Sequence, residues 1–159
     1  MAGFRCLACS AVLILGVLGA AFTATAQTAA DAPAPRSTAP QDAYVYIGSP
    51  ANGTVTSSRR IKVWFGTRNF GVAPAGVSKA NTGHHHLLID TALPPMDQPI
   101  PNDRNHLHFG LGQTETIIDL PPGKHTLQLL MGDANHVPHD PPVVSKPVTI
   151  TVRGGRGAS

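Results

Sequence analysis

The sequence predicts an all-β domain, an immunoglobulin-like antiparallel β-sandwich of about seven strands. Three observations carry that prediction. Short apolar segments alternate at period two, Gly/Pro turn signals separate them, and no stretch shows the 3.6-residue periodicity of an amphipathic helix. The 15 prolines fit the same picture, because proline removes a backbone donor and belongs in loops and edge strands. A cupredoxin-like sandwich or a small barrel is the alternative fold.

Taken in order, Tyr44 to Ile47 is aromatic and β-branched and stops at the turn Ser49-Pro50-Ala51-Asn52-Gly53. Ile61, Val63 and Phe65 alternate with Lys62 and Trp64, as in a strand with one face buried. His84 to Asp90 is the third strand, His106 to Phe109 the fourth, and Thr114 to Leu120 the fifth. Pro121-Pro122-Gly123 then reverses the chain, proline setting φ and glycine permitting the turn. His125 to Met131 and Val148 to Val152 complete the set. Two connections, 69–82 and 91–105, are long for a domain of this size, and long loops on a β-scaffold tend to carry function.

The flanks read differently. Arg5, the apolar run Ala11 to Phe22 and the small-x-small Ala24-Thr25-Ala26 form a secretory signal peptide over 1–26, with cleavage expected after Ala26. Its apolar run is too short for a stable membrane span, so none is expected after cleavage. Residues 27–42 are mostly Ala, Pro and Thr and predict a disordered linker, 43–153 the sandwich domain, and 154–159 a flexible tail. The implied location is periplasmic or secreted.

Composition narrows the chemistry. Both cysteines, Cys6 and Cys9, fall in the expected leader, which leaves the domain without a disulfide or a thiolate ligand. The formal charge of +3 is small, and Arg59-Arg60 is the densest basic run, so nucleic acid is not an expected partner. No nucleophile elbow or phosphate loop occurs, and no enzymatic activity is expected.

The anomaly is eight histidines. Side chains alternate along a strand, so His84 and His86 project from one face about 7 Å apart, while His85 joins Leu87 and Ile89 on the other. Asn105-His106-Leu107-His108-Phe109 repeats the device, pairing His106 with His108 if Leu107 and Phe109 point inward. His125 follows a proline-glycine corner. It is read either as a ligand or as a side chain tying that corner to the backbone. His136 and His139 lie in a proline-stiffened loop with Asp133 and Asp140, carboxylates able to orient an imidazole. The same loop also reads as a plain polar turn.

Three blocks, GHHHLLID, HLHFGLGQTE and LPPGKHTLQLLMGDANHVPHDPPVVS, resemble an exported bacterial domain-of-unknown-function family over Tyr44 to Val152. The resemblance implies an exported immunoglobulin-like domain with histidines at His84, His85, His86, His108, His125 and His136, and no established activity.

Two expectations follow. The first is an exported protein that binds a transition metal, copper(II) or zinc, for sequestration or delivery. Its ligands are His84, His86 and His108, with His106, His125 and His136 as candidates to complete the shell. The second is a non-enzymatic cell-envelope module whose loops hold a glycan, a peptide or a protein partner.

Overall fold

A computed structural model describes residues 36–154, and the expected signal peptide lies outside the described residues. Nine strands are present among those residues: β1 (Tyr44–Ser49), β2 (Thr54–Thr56), β3 (Arg60–Arg68), β4 (Gly71–Val72), β5 (Thr82–Ile89), β6 (His106–Phe109), β7 (Glu115–Asp119), β8 (Gly123–Gly132) and β9 (Val148–Val152). The seven expected strands all occur. The two additions, β2 and β4, are three and two residues long, too short for a period to show.

The strands form two sheets. The smaller has the order β1-β3-β7 and is antiparallel throughout. The larger runs β2-β9-β8-β5-β4, with β6 also paired to β5. Its long pairings, β5–β8 and β8–β9, are antiparallel, whereas the short β2–β9 and β4–β5 pairings are parallel. All-β and sandwich-like, the architecture is the expected one.

The core follows from period-two alternation. Val63, Phe65 and Val45 of the small sheet meet Leu87, Leu127, Leu129, Met131 and Ile150 of the large one. Each of these is essentially inaccessible to water, and burial of such side chains stabilises by roughly 1.5–3 kcal/mol apiece. His85 sits on this inner face, as its register predicts, with its ring 5.1 Å from that of Phe65 and Nδ1 3.1 Å from the Gln113 carbonyl.

The large sheet is also covered on its outer face, which explains why β5 is buried at every position from Gly83 to Ile89. Leu88 and Leu130 there pack with Ile100, Met96 and Val144, which come from the two long connections after β5 and β8. This second apolar layer leaves the histidines of that face enclosed instead of solvated.

Residues 36–42, assigned from composition to the linker, are bonded to the domain. Ala39 N donates to Asp140 O at 3.0 Å and Asp140 N to Ser37 O at 2.9 Å. The Arg36 guanidinium reaches the carbonyls of Pro138 and His139. Backbone bonds and the Arg36 guanidinium hold this segment, and Ala39 packs against the core; with so little apolar surface, a hydrophobicity reading misses it.

Candidate metal centre

β5 places His84 and His86 side by side on the outer face. β6 runs antiparallel beside it, and His108 lies directly across from His86 in the register. On the other flank β8 sets Gly132 opposite His84. With no side chain there, the chain turns back over the sheet immediately after β8 and brings His136 onto the pair. A Cβ at Gly132 would lie 3.0 Å from His86 Nε2 and 3.3 Å from His136 Cα, so the glycine supplies the close approach.

His84, His86, His108 and His136 form one cluster. Ring centroids are 4.9 Å apart for His84–His86, His84–His108 and His84–His136, 5.1 Å for His86–His108, 4.8 Å for His108–His136 and 6.0 Å for His86–His136. His84 Nε2 and His86 Nε2 are 3.0 Å apart, close to the roughly 3.3 Å between two nitrogens on one tetrahedral ion. One ligand atom each from His84, His86 and His108 fall within 4.8 Å of one another, a spread that modest ring rotation closes. This triad, buried at His84 and His86 and half-buried at His108, could hold a metal ion.

Electrostatics favour the neutral, metal-competent form. Burial, reinforced by the His136 and His108 imidazoles, lowers the pKa of His84 to about 4. Burial and then His84, His108 and His136 bring His86 down to about 2. His108 is lowered as well, by burial first and His136 second. Among the described residues no protein group bonds His84 Nδ1, His86 Nδ1 or His108 Nε2. Each unpaired buried polar atom costs about 1–3 kcal/mol; an ion held through the facing Nε2 atoms of His84 and His86 would take up the unpaired His108 Nε2 and leave the two Nδ1 atoms as they are.

Asp133 builds the loop that delivers His136. Its Oδ1 accepts from Asn135 N at 2.8 Å and Val137 N at 3.0 Å, and its Oδ2 accepts from Ser37 Oγ at 2.7 Å. Burial disfavours its charge, but these donors win and hold the carboxyl below the ordinary carboxylate range. The tight turn leaves His136 at φ +67°, a left-handed conformation uncommon for a residue with a side chain. The role expected for Asp133 and Asp140, orienting an imidazole directly, is therefore corrected. Asp133 spends its oxygens on backbone and Ser37, and Asp140 lies 3.6 Å from Arg36.

Two expected ligands stand apart. His106 pairs with Leu88, one step along from the cluster, and its Nδ1 is 2.9 Å from Asp103 Oδ1 in a local turn. His125 is at the opposite end of β8 from Gly132 and on the inner-face register. Its Nδ1 is 2.7 Å from Asp90 Oδ2 and its Nε2 2.8 Å from the Pro121 carbonyl. Both nitrogens are thus engaged, and the corner-tying reading of His125 is the one the geometry supports. Burial works against its charge, yet the Asp90 and Pro121 acceptors raise its pKa. His139 is buried separately, its Nε2 3.1 Å from the Thr82 carbonyl and its ring against Phe70.

The described residues also include a surface groove of about 520 Å³ lined by Tyr44 to Ile47, Val144, Lys146 and Val148. None of the four clustered histidines lines it.

The protein is thus a two-sheet β-sandwich with a four-imidazole cluster on the outer face of its larger sheet. The chain belongs to the family described as Domain of unknown function (DUF4399), whose sequence profile matches residues 63–153, a span that includes all four histidines. No curated protein matches the chain. Among solved structures it is similar to the fibronectin(III)-like modules of CbhA from Clostridium thermocellum, at 15% identity and a TM-score of 0.37, over 70% of this chain and 99% of that one.

Proposed function

We propose that this protein binds a borderline transition metal ion, zinc or copper(II), through neutral imidazoles of His84, His86 and His108, and that it sequesters or delivers the ion outside the cytoplasm. The observation that carries the reading is the histidine triad, whose ligand atoms lie within 4.8 Å of one another. Nitrogen donors without thiolate suit zinc and copper(II) better than copper(I). Export rests on the leader-like 1–26 segment. Among the described residues the group of ligand atoms is made of histidines alone, with no carboxylate beside them to act as a general base, which favours storage or transfer over catalysis. The test is thermal denaturation with and without metal. An ion at 100 times its Kd adds about 2.7 kcal/mol, and this gain should vanish in a His84→Ala/His86→Ala double variant. An equal gain in both proteins would rule out these ligands.

One observation favours the second reading, an envelope module that binds a glycan, peptide or protein. Tyr44, Tyr46 and Trp64 are 37–43% exposed on the outer face of the small sheet, with Tyr46 5.9 Å from both neighbours. Exposed aromatics of this kind are common anchors in binding surfaces. On this reading Trp64→Ala abolishes retention on envelope material and leaves metal content unchanged.

A further inference from the structure

Resting on the metal-binding reading, we infer that the site is a closed, tetrahedral four-imidazole centre in which His136 is the fourth ligand and zinc(II), not copper(II), is the ion it fits. The six ring separations carry this. A metal–nitrogen bond of ~2.0 Å puts each ring centroid roughly 3.2 Å from the ion. Four rings at tetrahedral corners then have all six centroid pairs about 5.2 Å apart. In a square plane, by contrast, four neighbouring pairs close to about 4.5 Å and two opposite pairs open to about 6.4 Å.

Five of the six observed separations fall between 4.8 and 5.1 Å, and one, His86–His136, is 6.0 Å. If His86 and His136 were opposite corners of a plane, His84 and His108 would be the other opposite pair and would also be long. They are 4.9 Å apart. The four ring centroids are therefore disposed as a slightly opened tetrahedron; the ring nitrogens that already converge are those of His84, His86 and His108, and His136 joins them by turning its ring. Ions with d¹⁰ configuration accept a tetrahedron without electronic cost, whereas copper(II) prefers a tetragonal field. The absence of sulfur donors separates zinc(II) from copper(I).

The backbone supports the same assignment. His136 is held at φ +67° by a turn whose two amides bond Asp133, and its carbonyl accepts from Ile100 N at 2.8 Å. Such a conformation persists where the surroundings over-determine it, and here it brings the imidazole to 4.8 Å from His108 and 4.9 Å from His84. With four protein ligands the ion has no open position for water. The site is then of the structural or storage kind, not the hydrolytic kind.

The test replaces zinc by cobalt(II) in the purified protein and records its visible spectrum, together with X-ray absorption of the zinc-loaded protein. Four-coordinate cobalt(II) absorbs strongly and six-coordinate cobalt(II) weakly. The inference expects the intense spectrum, four imidazoles around zinc, and at least a tenfold loss of zinc affinity in His136→Gly. Glycine adopts positive φ without strain, so this variant removes the ring and keeps the turn. The absorption count on the unaltered protein does not depend on the variant's folding. A weak, six-coordinate cobalt spectrum, or three imidazoles plus water, overturns the tetrahedral four-histidine site while leaving metal binding standing. If no ion binds at all, the underlying reading fails as well.

Discussion

Substituting Gly110 should disable the site without altering any ligand. An ideal Cβ at this position lies 2.3 Å from His108 Cε1, 2.6 Å from His108 Nε2 and 3.2 Å from Ala75 Cβ. Carbon contacts settle near 3.5–4.0 Å, so in Gly110→Ala the imidazole must retreat by about 1 Å or more. Metal sites tolerate about 0.2 Å in a ligand distance. His108 should therefore leave the ion, lowering zinc affinity at least tenfold, equivalent to about 1.4 kcal/mol. The residue is only half-buried, which keeps the folding cost within the roughly 1–3 kcal/mol typical of an added core methyl. Equilibrium zinc titration, paired with guanidinium denaturation of the metal-free protein, measures both quantities. Gly154→Ala is the control, because its Cβ would meet Pro122 Cβ at an ordinary 3.8 Å. Wild-type zinc affinity in a folded Gly110→Ala protein would refute the placement of His108 at the ion.

Acid should destabilise the metal-free protein through His85, whose pKa burial lowers from 6.5 to about 4 despite the Gln113 carbonyl. The unfolded chain takes up this proton first, so His85 imposes no penalty above pH 6.5. Stability is then lost as pH falls toward 4, by about 2 kcal/mol at pH 5. Urea titrations at pH 7 and pH 5 with chelator present should show a drop smaller by that amount in His85→Phe, and equal drops would count against it. The Asp90–His125 clamp has the opposite sign. Its raised pKa gives stability that is complete below the unfolded pKa and disappears as pH rises through the folded one. With Asp90 40% exposed, screening limits the contribution to about 1 kcal/mol. Asp90→Asn should therefore lower the melting temperature at pH 6 by a few degrees and have less effect at pH 9.

The sandwich was readable because period-two alternation is local. Val63 and Phe65 against Trp64, or Leu127 and Leu129 against Gln128, declare their faces without knowledge of any partner strand. The same alternation separated His85 from His84 and His86. What alternation could not supply was adjacency. Whether GHHH and HLH share a sheet depends on β6 pairing with β5, a contact between residues 18 to 24 apart. That pairing matched His108 with His86 but set His106 beside Leu88, where Asp103 takes its nitrogen. The fourth ring came from a loop, and its delivery depends on a buried Asp133 turn and on the missing side chain of Gly132. In the sequence Gly110 and Gly132 simply follow HLHF and LLM. Only the packed sheet shows them as space kept free for imidazoles. Arg36 and Ser37 were hidden for a similar reason, since their contacts to 133–140 leave no hydrophobic signature.

The central claim is that one transition metal ion is held by this histidine cluster. Equilibrium titration of the purified protein with zinc and with copper(II) at neutral pH tests it most directly. The account predicts saturation at one ion per chain with a Kd below about 10 μM, or a binding free energy beyond roughly 7 kcal/mol. Absence of saturable binding at that strength for either ion would contradict it.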